Sequence, residues 1–393
     1  MIEIVDKKIC TGCSACVSIC PTRAIYFESD YEGFVYPKTD KDKCIKCKKC
    51  IKVCPTYNEY RSNNNENPDV YAGWNKNEEV RLNSTSGGVF TLLAQYILNN
   101  NGYVVAAEYR DDFSVYHTII SNLNDIKKQR QSKYLQSDIN DVFVKIKKLL
   151  NEENLVLFCG TPCQNAGLKS YLGKEYENLF LCDFICRGVI SPKVFKKYLI
   201  DIEEQYEQKI TKVHFKHKLW GWNKFSTKID LENNQVYQKN RDEDLYMVGY
   251  LKYNLYLRPC CYNCKFKNLP RQADLSLGDF WGIGDKDGKL DDNKGTSVVI
   301  VNSQKGNFLL NNICNNMVIK KQTVEDIVKG NACLFNSPNV GEFRSYFFKN
   351  FDKMSFTTLI EKIISKQNKA GIREYIKIII KKFKLKIEGI IND

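Results

Sequence analysis

Past residue 70 the chain alternates short, continuously apolar runs with longer stretches in which apolar positions recur three or four residues apart. Tyr103 to Glu108 (YVVAAE), Asn154 to Cys159 (NLVLFC), Leu179 to Cys186 (LFLCDFIC) and Ser297 to Asn302 (SVVIVN) are of the first kind and predict strands. Gly88 to Leu98, Val142 to Leu150, Asn165 to Leu172 and Pro192 to Tyr206 are of the second kind and predict helices. Such alternation predicts an α/β domain with a mixed, largely parallel sheet. Lys212 to Lys218 and Lys224 to Leu231 read differently, as antiparallel strands inserted into that plan.

Before and after this domain the pattern changes. Residues 1–57 are dense in cysteine, and a polar stretch running to Pro68 reads as a linker over 58–69. The expected divisions are therefore 1–57, the linker 58–69, the α/β domain 70–340, and a basic amphipathic helical tail 341–393. In that tail Ile372, Ile376, Ile379, Phe383, Ile387 and Ile390 recur at helical spacing, and Lys366 to Lys386 holds eight basic residues against one acid. The stripe permits docking on a membrane surface or an acidic partner; packing on the body with a solvated basic face is the plainer expectation.

The 393 residues carry a net charge of +13, from 59 Lys and Arg against 46 Asp and Glu, with an apolar fraction of 43%. These values fit a folded protein and exclude a disordered or collagen-like chain. Much of the charge sits in the tail, and no helix-turn-helix, finger or RNP signature accompanies it, so nucleic-acid binding is the weakest of the functions weighed. The N-terminus lacks a basic segment followed by an apolar stretch, and no run is long enough to span a bilayer. A cytoplasmic location is expected, where thiols stay reduced. That matters because the chain has 17 cysteines, an odd number that excludes complete internal pairing.

Eight of them form a repeat. Cys10, Cys13, Cys16, Cys20 and Pro21 match Cys44, Cys47, Cys50, Cys54 and Pro55 at a period of 34 residues, with Ala24-Ile-Tyr-Phe predicted as a strand between. Each half is C-x2-C-x2-C-x3-C-P, the ligation run of bacterial two-cluster ferredoxins, in which the fourth cysteine serves the other cluster. Three thiolates two residues apart wrap a loop round three corners of a cubane, and the proline stops the short helix. One 4Fe-4S cluster is thus assigned to Cys10, Cys13, Cys16 and Cys54 and the second to Cys44, Cys47, Cys50 and Cys20. Zinc also takes C-x2-C pairs, but two complete four-cysteine runs favour clusters, and the segment is read as an α+β two-cluster ferredoxin module.

Four more cysteines punctuate the α/β domain. Cys163 lies in Gly160-Thr-Pro-Cys-Gln164 after one predicted strand, Cys186 ends the next, and Cys261 and Cys264 form C-x2-C. Ligand sites in open α/β sheets collect beyond the carboxyl ends of strands, so a third 4Fe-4S cluster on these four is the hypothesis. Cys260 could replace Cys261; a redox disulfide at Cys261/Cys264 and a nucleophilic Cys163 are the rivals.

The motifs Ser86-Gly-Gly-Val-Phe-Thr91, Ser132-Lys-Tyr-Leu-Gln-Ser137, Gly160-Thr-Pro-Cys-Gln164, Cys186-Arg-Gly-Val-Ile-Ser-Pro192, Cys261-Tyr-Asn-Cys264, Ala273-Asp-Leu-Ser-Leu-Gly-Asp-Phe-Trp-Gly282 and Asp291-Asp-Asn-Lys-Gly-Thr-Ser297 resemble, in order, the coenzyme F420 hydrogenase/dehydrogenase beta-subunit family over roughly residues 70–335. The resemblance implies FAD beside a 4Fe-4S cluster, and electron transfer between that cluster and a hydride-accepting substrate. It makes Ser86, Gly87, Gly88, Lys133, Tyr134, Gln136 and Ser137 the expected flavin contacts; hydroxyls and open amides ahead of a helix suit a pyrophosphate. Arg187 stands where many relatives have histidine. Trp281, Asp274 and Asp279 are candidates to line the site, and His117, His214 and His217 are expected to be structural.

The resulting expectation is an iron-sulfur flavoprotein oxidoreductase taking electrons from a ferredoxin or similar donor protein and acting on a small-molecule substrate, with no catalytic acid or base assigned. An electron-transfer subunit serving a catalytic partner chain is the main alternative. The five remaining cysteines, Cys159, Cys182, Cys260, Cys314 and Cys333, need no ligand role.

Overall fold

The computed structural model describes residues 6–58 and 62–368. The cysteine-rich module holds one antiparallel hairpin, β1 (Ile25–Ser29) with β2 (Val35–Thr39), flanked by the short helices Ala15–Ser18 and Lys49–Lys52. The hairpin turn is fixed by Asp30, whose carboxylate accepts the N–H groups of Glu32 and Phe34 at 3.0 Å each. Gly33 in that turn has φ +86°, and a Cβ there would meet Cβ of Lys193 at 2.3 Å, so the turn presses on the body of the protein.

The remaining strands are β3 (Asp69–Asn75), β4 (Tyr103–Tyr109), β5 (Val115–Ile120), β6 (Val156–Cys159), β7 (Leu179–Phe184), β8 (Ile210–His217), β9 (Ser226–Leu231), β10 (Val236–Asn240), β11 (Leu275–Asp279), β12 (Ser297–Val301) and β13 (Met317–Gln322). Eight of them form one sheet in the order β13-β3-β12-β11-β7-β6-β4-β5. Its centre, β4, β6, β7 and β11, is parallel, three of the four being predicted apolar runs; the fourth such run, β12, pairs antiparallel, as do β5, β3 and β13 at the flanks. β3 is antiparallel to β12, itself antiparallel to β11, and so points the same way as the parallel four.

Period-two alternation explains the layering. Val105, Phe158 and Leu181 face one side with helices Val142–Asn151 and Pro162–Leu172, while Val104, Leu157 and Phe180 face the other with Val89–Asn99 and Gln304–Ile313. Both faces are covered, which is why these strands read as continuous apolar runs. The cysteine module joins the first side: Ala15 and Val53 belong to that core, and a Cβ on Gly167 would meet Cβ of Cys13 at 2.9 Å.

β8, β9 and β10 form the separate antiparallel sheet expected of an insertion. It packs on helix Pro192–Tyr206 through an aromatic core in which Tyr198 stacks on Tyr246 at 4.9 Å. Asp244, buried among these rings, accepts the hydroxyls of Tyr198 and Tyr237 at 2.6 and 2.8 Å. The region beyond residue 340 does not begin as a tail. Phe347, Phe356, Leu359, Ile360 and Ile363, on helices Arg344–Asn350 and 356–368, and Phe351 in the turn Phe351–Lys353 between them, are buried in the same core. The tail's isoleucine stripe and, of the eight basic residues from Lys366 to Lys386, all except Lys366 lie outside the described residues. Among the described residues no helix is long and apolar enough to cross a membrane.

One ion pair anchors the sheet end nearest the third cysteine group. Arg271 Nη2 meets Asp183 Oδ1 at 2.9 Å with both side chains essentially inaccessible, and the guanidinium also donates to Phe184 O and Ser276 Oγ. Burial pulls the Asp183 carboxyl above the usual range, against the pull of Arg271. Truncating one partner leaves the other charge buried alone, so Asp183→Ala is expected to cost about 3–5 kcal/mol. A lowered denaturant midpoint checks this, and an unchanged midpoint refutes it.

Candidate cluster and cofactor site

In the module the fourth cysteine of each repeat crosses to the other. The Cys13 thiol is pushed up to about 12 by burial first and then by its neighbours Cys10 and Cys54, and Cys16 feels Cys13, Cys10 and Cys54. The second set, Cys20, Cys44, Cys47 and Cys50, lines a single cavity. Each crossing cysteine is followed by Pro-Thr, whose hydroxyl returns to the sulfur, at 3.8 Å for Thr22 on Cys20 and 3.1 Å for Thr56 on Cys54. Burial raises the Cys20 thiol, but the Thr22 hydroxyl and the Ala24 N–H together bring it below its ordinary value. Two sets of four thiols, with hydroxyl and amide donors beside them, fit two 4Fe-4S clusters.

The second constellation also converges. Cys163 opens helix Pro162–Leu172, where Thr161 and Gln164 form a reciprocal cap, and Cys186 follows β7. Cys261 and Cys264 come from the turn Pro259–Asn263 and the residue after it. Burial pushes Cys163 upward, with Cys264, Cys186 and Cys261 adding to the push; Cys186, raised to about 12, feels burial, then Cys261 and Cys264. Gly188 lets the chain pass: a Cβ there would meet that of Cys261 at 2.9 Å. Val189 N–H points at Cys261 Sγ at 3.5 Å. The Cys260 thiol hydrogen-bonds Cys261 and also acts on Arg258 and Tyr36, but unlike Cys261 it is not among the groups that act most on Cys163, Cys186 and Cys264. Among the described residues no three His, Cys, Asp or Glu side chains close on a single-ion point; a cubane's ligands stand at the corners of a body several atoms wide. An all-thiol set of four fits a third cluster.

Beside Cys186 opens a cavity of about 570 Å³, within the range of a cofactor pocket. Ser86, Gly88, Lys133, Tyr134 and Ser137 line it, as do Arg187, Asp279, Trp281 and His117. Gly88, at φ +82°, turns the chain into helix Val89–Asn99, whose N-terminus has no side-chain cap, leaving its amides open. The two motif loops are stitched together where Ser132 N–H donates to Thr85 Oγ1 at 2.8 Å. A serine-lined, glycine-entered cradle with uncapped helix amides fits a dinucleotide pyrophosphate.

Gly87 and Gln136 do not line the cavity. Gly87 donates its N–H to Ser297 Oγ, and a Cβ would meet Gly73 O at 2.5 Å, so its smallness serves strand contact. Gln136 is buried at the seam with the cysteine module, where its Oε1 accepts from Arg258. Lys133 reaches the wall, but its ammonium donates to the carbonyls of Lys128, Gln129, Arg130 and Gln131 and so closes a helix end; burial draws it down to about 7. Asp279 pairs with Lys216 and accepts from Trp222, whose ring stacks on Trp281 at 4.5 Å. Asp274 sits elsewhere, holding Leu181 N and Ser303 Oγ. Arg187 donates to Leu251 O and Asn254 Oδ1, while its Nε has no partner. His117 is stacked on Phe158, and burial lowers it to about 4, so it stays neutral near pH 7. His214 contacts Gln131, and His217 contacts Gln238.

Sequence reasoning missed Lys216, Arg241, Trp222 and Arg258. Lys216 and Arg241 line the cavity and stand over the Phe225 and Trp281 rings. None lies in a spaced motif; each matters through a partner tens to hundreds of residues away.

Residues 70–143 match the family "coenzyme F420 hydrogenase/dehydrogenase, beta subunit N-term", and residues 153–327 match its C terminus. Residues 9–58 match a 4Fe-4S dicluster domain. Among solved structures, a chain from the F420-reducing NiFe hydrogenase complex of Methanosarcina barkeri is similar, at 17% identity and a TM-score of 0.46, over 78% of this chain and 94% of that one. No curated protein matches. With both halves of one family model matched in order over the α/β domain, behind an iron-sulfur dicluster domain, the chain belongs to the coenzyme F420 hydrogenase/dehydrogenase beta-subunit family of oxidoreductases.

Proposed function

We propose that this protein is an iron-sulfur flavoprotein that carries single electrons from a ferredoxin-like donor through three 4Fe-4S clusters to FAD, and from there to a hydride-accepting small molecule. The carrying observation is that Cys186 belongs both to the group of four thiols and to the wall of the cavity. A cofactor in that cavity would lie against the third cluster's ligands. FAD, when bound, joins the two regimes by accepting electrons singly and giving them up as a hydride.

The protein's own part is to hold and insulate. The open amides of Val89–Asn99 and the hydroxyl of Ser137, which accepts from Gln164 Nε2 and keeps its own proton, would receive the pyrophosphate, while the Ser86 hydroxyl is committed to Thr296 O. Trp281 and Tyr134 wall the cavity with aromatic surface, beside Arg241 and a Lys216 that is paired with Asp279. The domain division of this reading is 1–57, 58–69 and an α/β body from 70, to which residues up to 363 are joined by packing.

The alternative of an electron-transfer subunit draws on the beta-subunit family name. The two part in turnover: a purified chain supplied with an artificial one-electron donor should form reduced product on its own, whereas a relay passes electrons without it. The composition is tested first. Anaerobically purified protein should hold about twelve irons and FAD. Close to eight irons with no flavin would sink the proposal.

A further inference from the structure

We infer that the face of the module around Cys44–Cys54 is the docking surface for a small acidic one-electron carrier protein, which reduces the cluster held by Cys20, Cys44, Cys47 and Cys50. The inference deepens the proposed function by placing its donor.

The two halves of the repeat share a backbone but not a surface. Gly12 and Ser14, at φ +70° each, correspond to Lys46 and Lys48, at +56° and +61°. Ala15 and Ser18 correspond to Lys49 and Lys52. In the first half these positions are uncharged because they face the body. Ser14 and Ala15 are buried, and a Cβ on Gly12 would fall 2.5 Å from Gln136 Nε2. In the second half all four are lysine and all four are exposed. Two of those lysines hold a left-handed backbone where glycine is the unstrained residue, although solvent alone gives no reason for lysine there.

The same face is apolar at its centre. Ile45 and Ile51 are 64% and 37% exposed, and Cys47 is the exposed member of its ligand set. Lys41 and Lys43 extend the rim; among the described residues only Lys43 of these six lysines makes an ion pair, with Asp40. Bare isoleucine and a ligand thiol ringed by free ammonium groups form an apolar contact with a polar rim. Its sign selects an acidic partner and steers the encounter. Each encounter passes one electron from the carrier's reduced centre to this cluster; the carrier leaves oxidised, and no bond or proton is exchanged.

The test is stopped-flow reduction of the full-length holoprotein by a reduced acidic bacterial ferredoxin, followed by bleaching of the cluster absorbance. The parent rate constant should fall steeply as ionic strength rises. The variant Lys46→Gln/Lys48→Gln/Lys49→Gln/Lys52→Gln should react about tenfold or more slowly at low salt and converge with the parent at high salt, where screening removes the charge effect. A salt-independent parent rate overturns the inference even if the variant fails to assemble its cluster, and so does a variant as fast as the parent at low salt. Bleaching of the module reports nothing about flavin, so loss of the flavin reading would leave this result standing.

Discussion

Replacing Cys264 by alanine will remove about four of about twelve irons and cut the cavity off from the cysteine module. Cys264 is a half-buried thiol raised by desolvation and by Cys261, and it is the first neighbour, after burial, to act on Cys163. Its backbone is fixed independently, because its N–H donates to Ser337 Oγ at 3.0 Å, so alanine removes the ligand without releasing the turn. The eight module cysteines lie in other loops and keep their clusters. Ferredoxin should therefore still bleach the module, while flavin reduction slows to the point of being unobservable. Cys261→Ala should behave the same way and Cys260→Ala should retain its iron, because Cys261 rather than Cys260 acts on Cys163, Cys186 and Cys264. Iron analysis with low-temperature electron paramagnetic resonance checks all three, and a Cys264→Ala protein with full iron would remove the third set from the assignment.

What could be read beforehand was whatever the chain repeats locally. The cysteine runs declare themselves because one short loop supplies three ligands, and the crossing of Cys20 and Cys54 follows from cubane geometry. Val104/Val105 and Leu157/Phe158 send neighbours to opposite faces, so buried strands appeared as unbroken apolar runs. β3, β11 and β13 escaped notice because their places depend on long-range register, such as Gly73 opposite both Ser297 and Ile319. The aromatic residues beyond 340 find their core between about 90 and 160 residues back, against Tyr256 and Tyr198, so local pattern could predict packing on the body but not where. In the candidate site the motif loops were legible, but the direction of each side chain was not. Gln136 and Ser137 are adjacent, and extended backbone sends one to the seam and the other to the cavity.

That seam gives the other large effect. Arg258 is fully buried, yet it makes a fork of contacts into the module: Nε to Cys10 O at 2.8 Å, Nη2 to Val35 O at 2.9 Å and within 3.7 Å of Cys10 Sγ, and Nη1 to Gln136 Oε1 at 2.8 Å. Its plane lies over the Tyr36 ring at 4.4 Å. Burial opposes the charge, but Cys260, Cys10 and Tyr36 more than offset it, so the group stays a cation. Arg258→Ala strands one buried and two part-buried acceptors, at up to about 1–3 kcal/mol each, and opens a void the size of a guanidinium. The second clamp, Arg344 on Glu32, cannot replace it, because it holds the hairpin turn rather than the cysteine loop. The expected result is a module that undocks: faster proteolysis within 58–68, a lower unfolding midpoint, and cluster loss beginning at Cys10. Arg258→Lys should recover only part of this, since an ammonium cannot reach three acceptors set in a planar fork. If Arg258→Ala resists protease as the parent does, the Arg344–Glu32 clamp and the apolar contacts of Ala15 and Val53 are enough to hold the module.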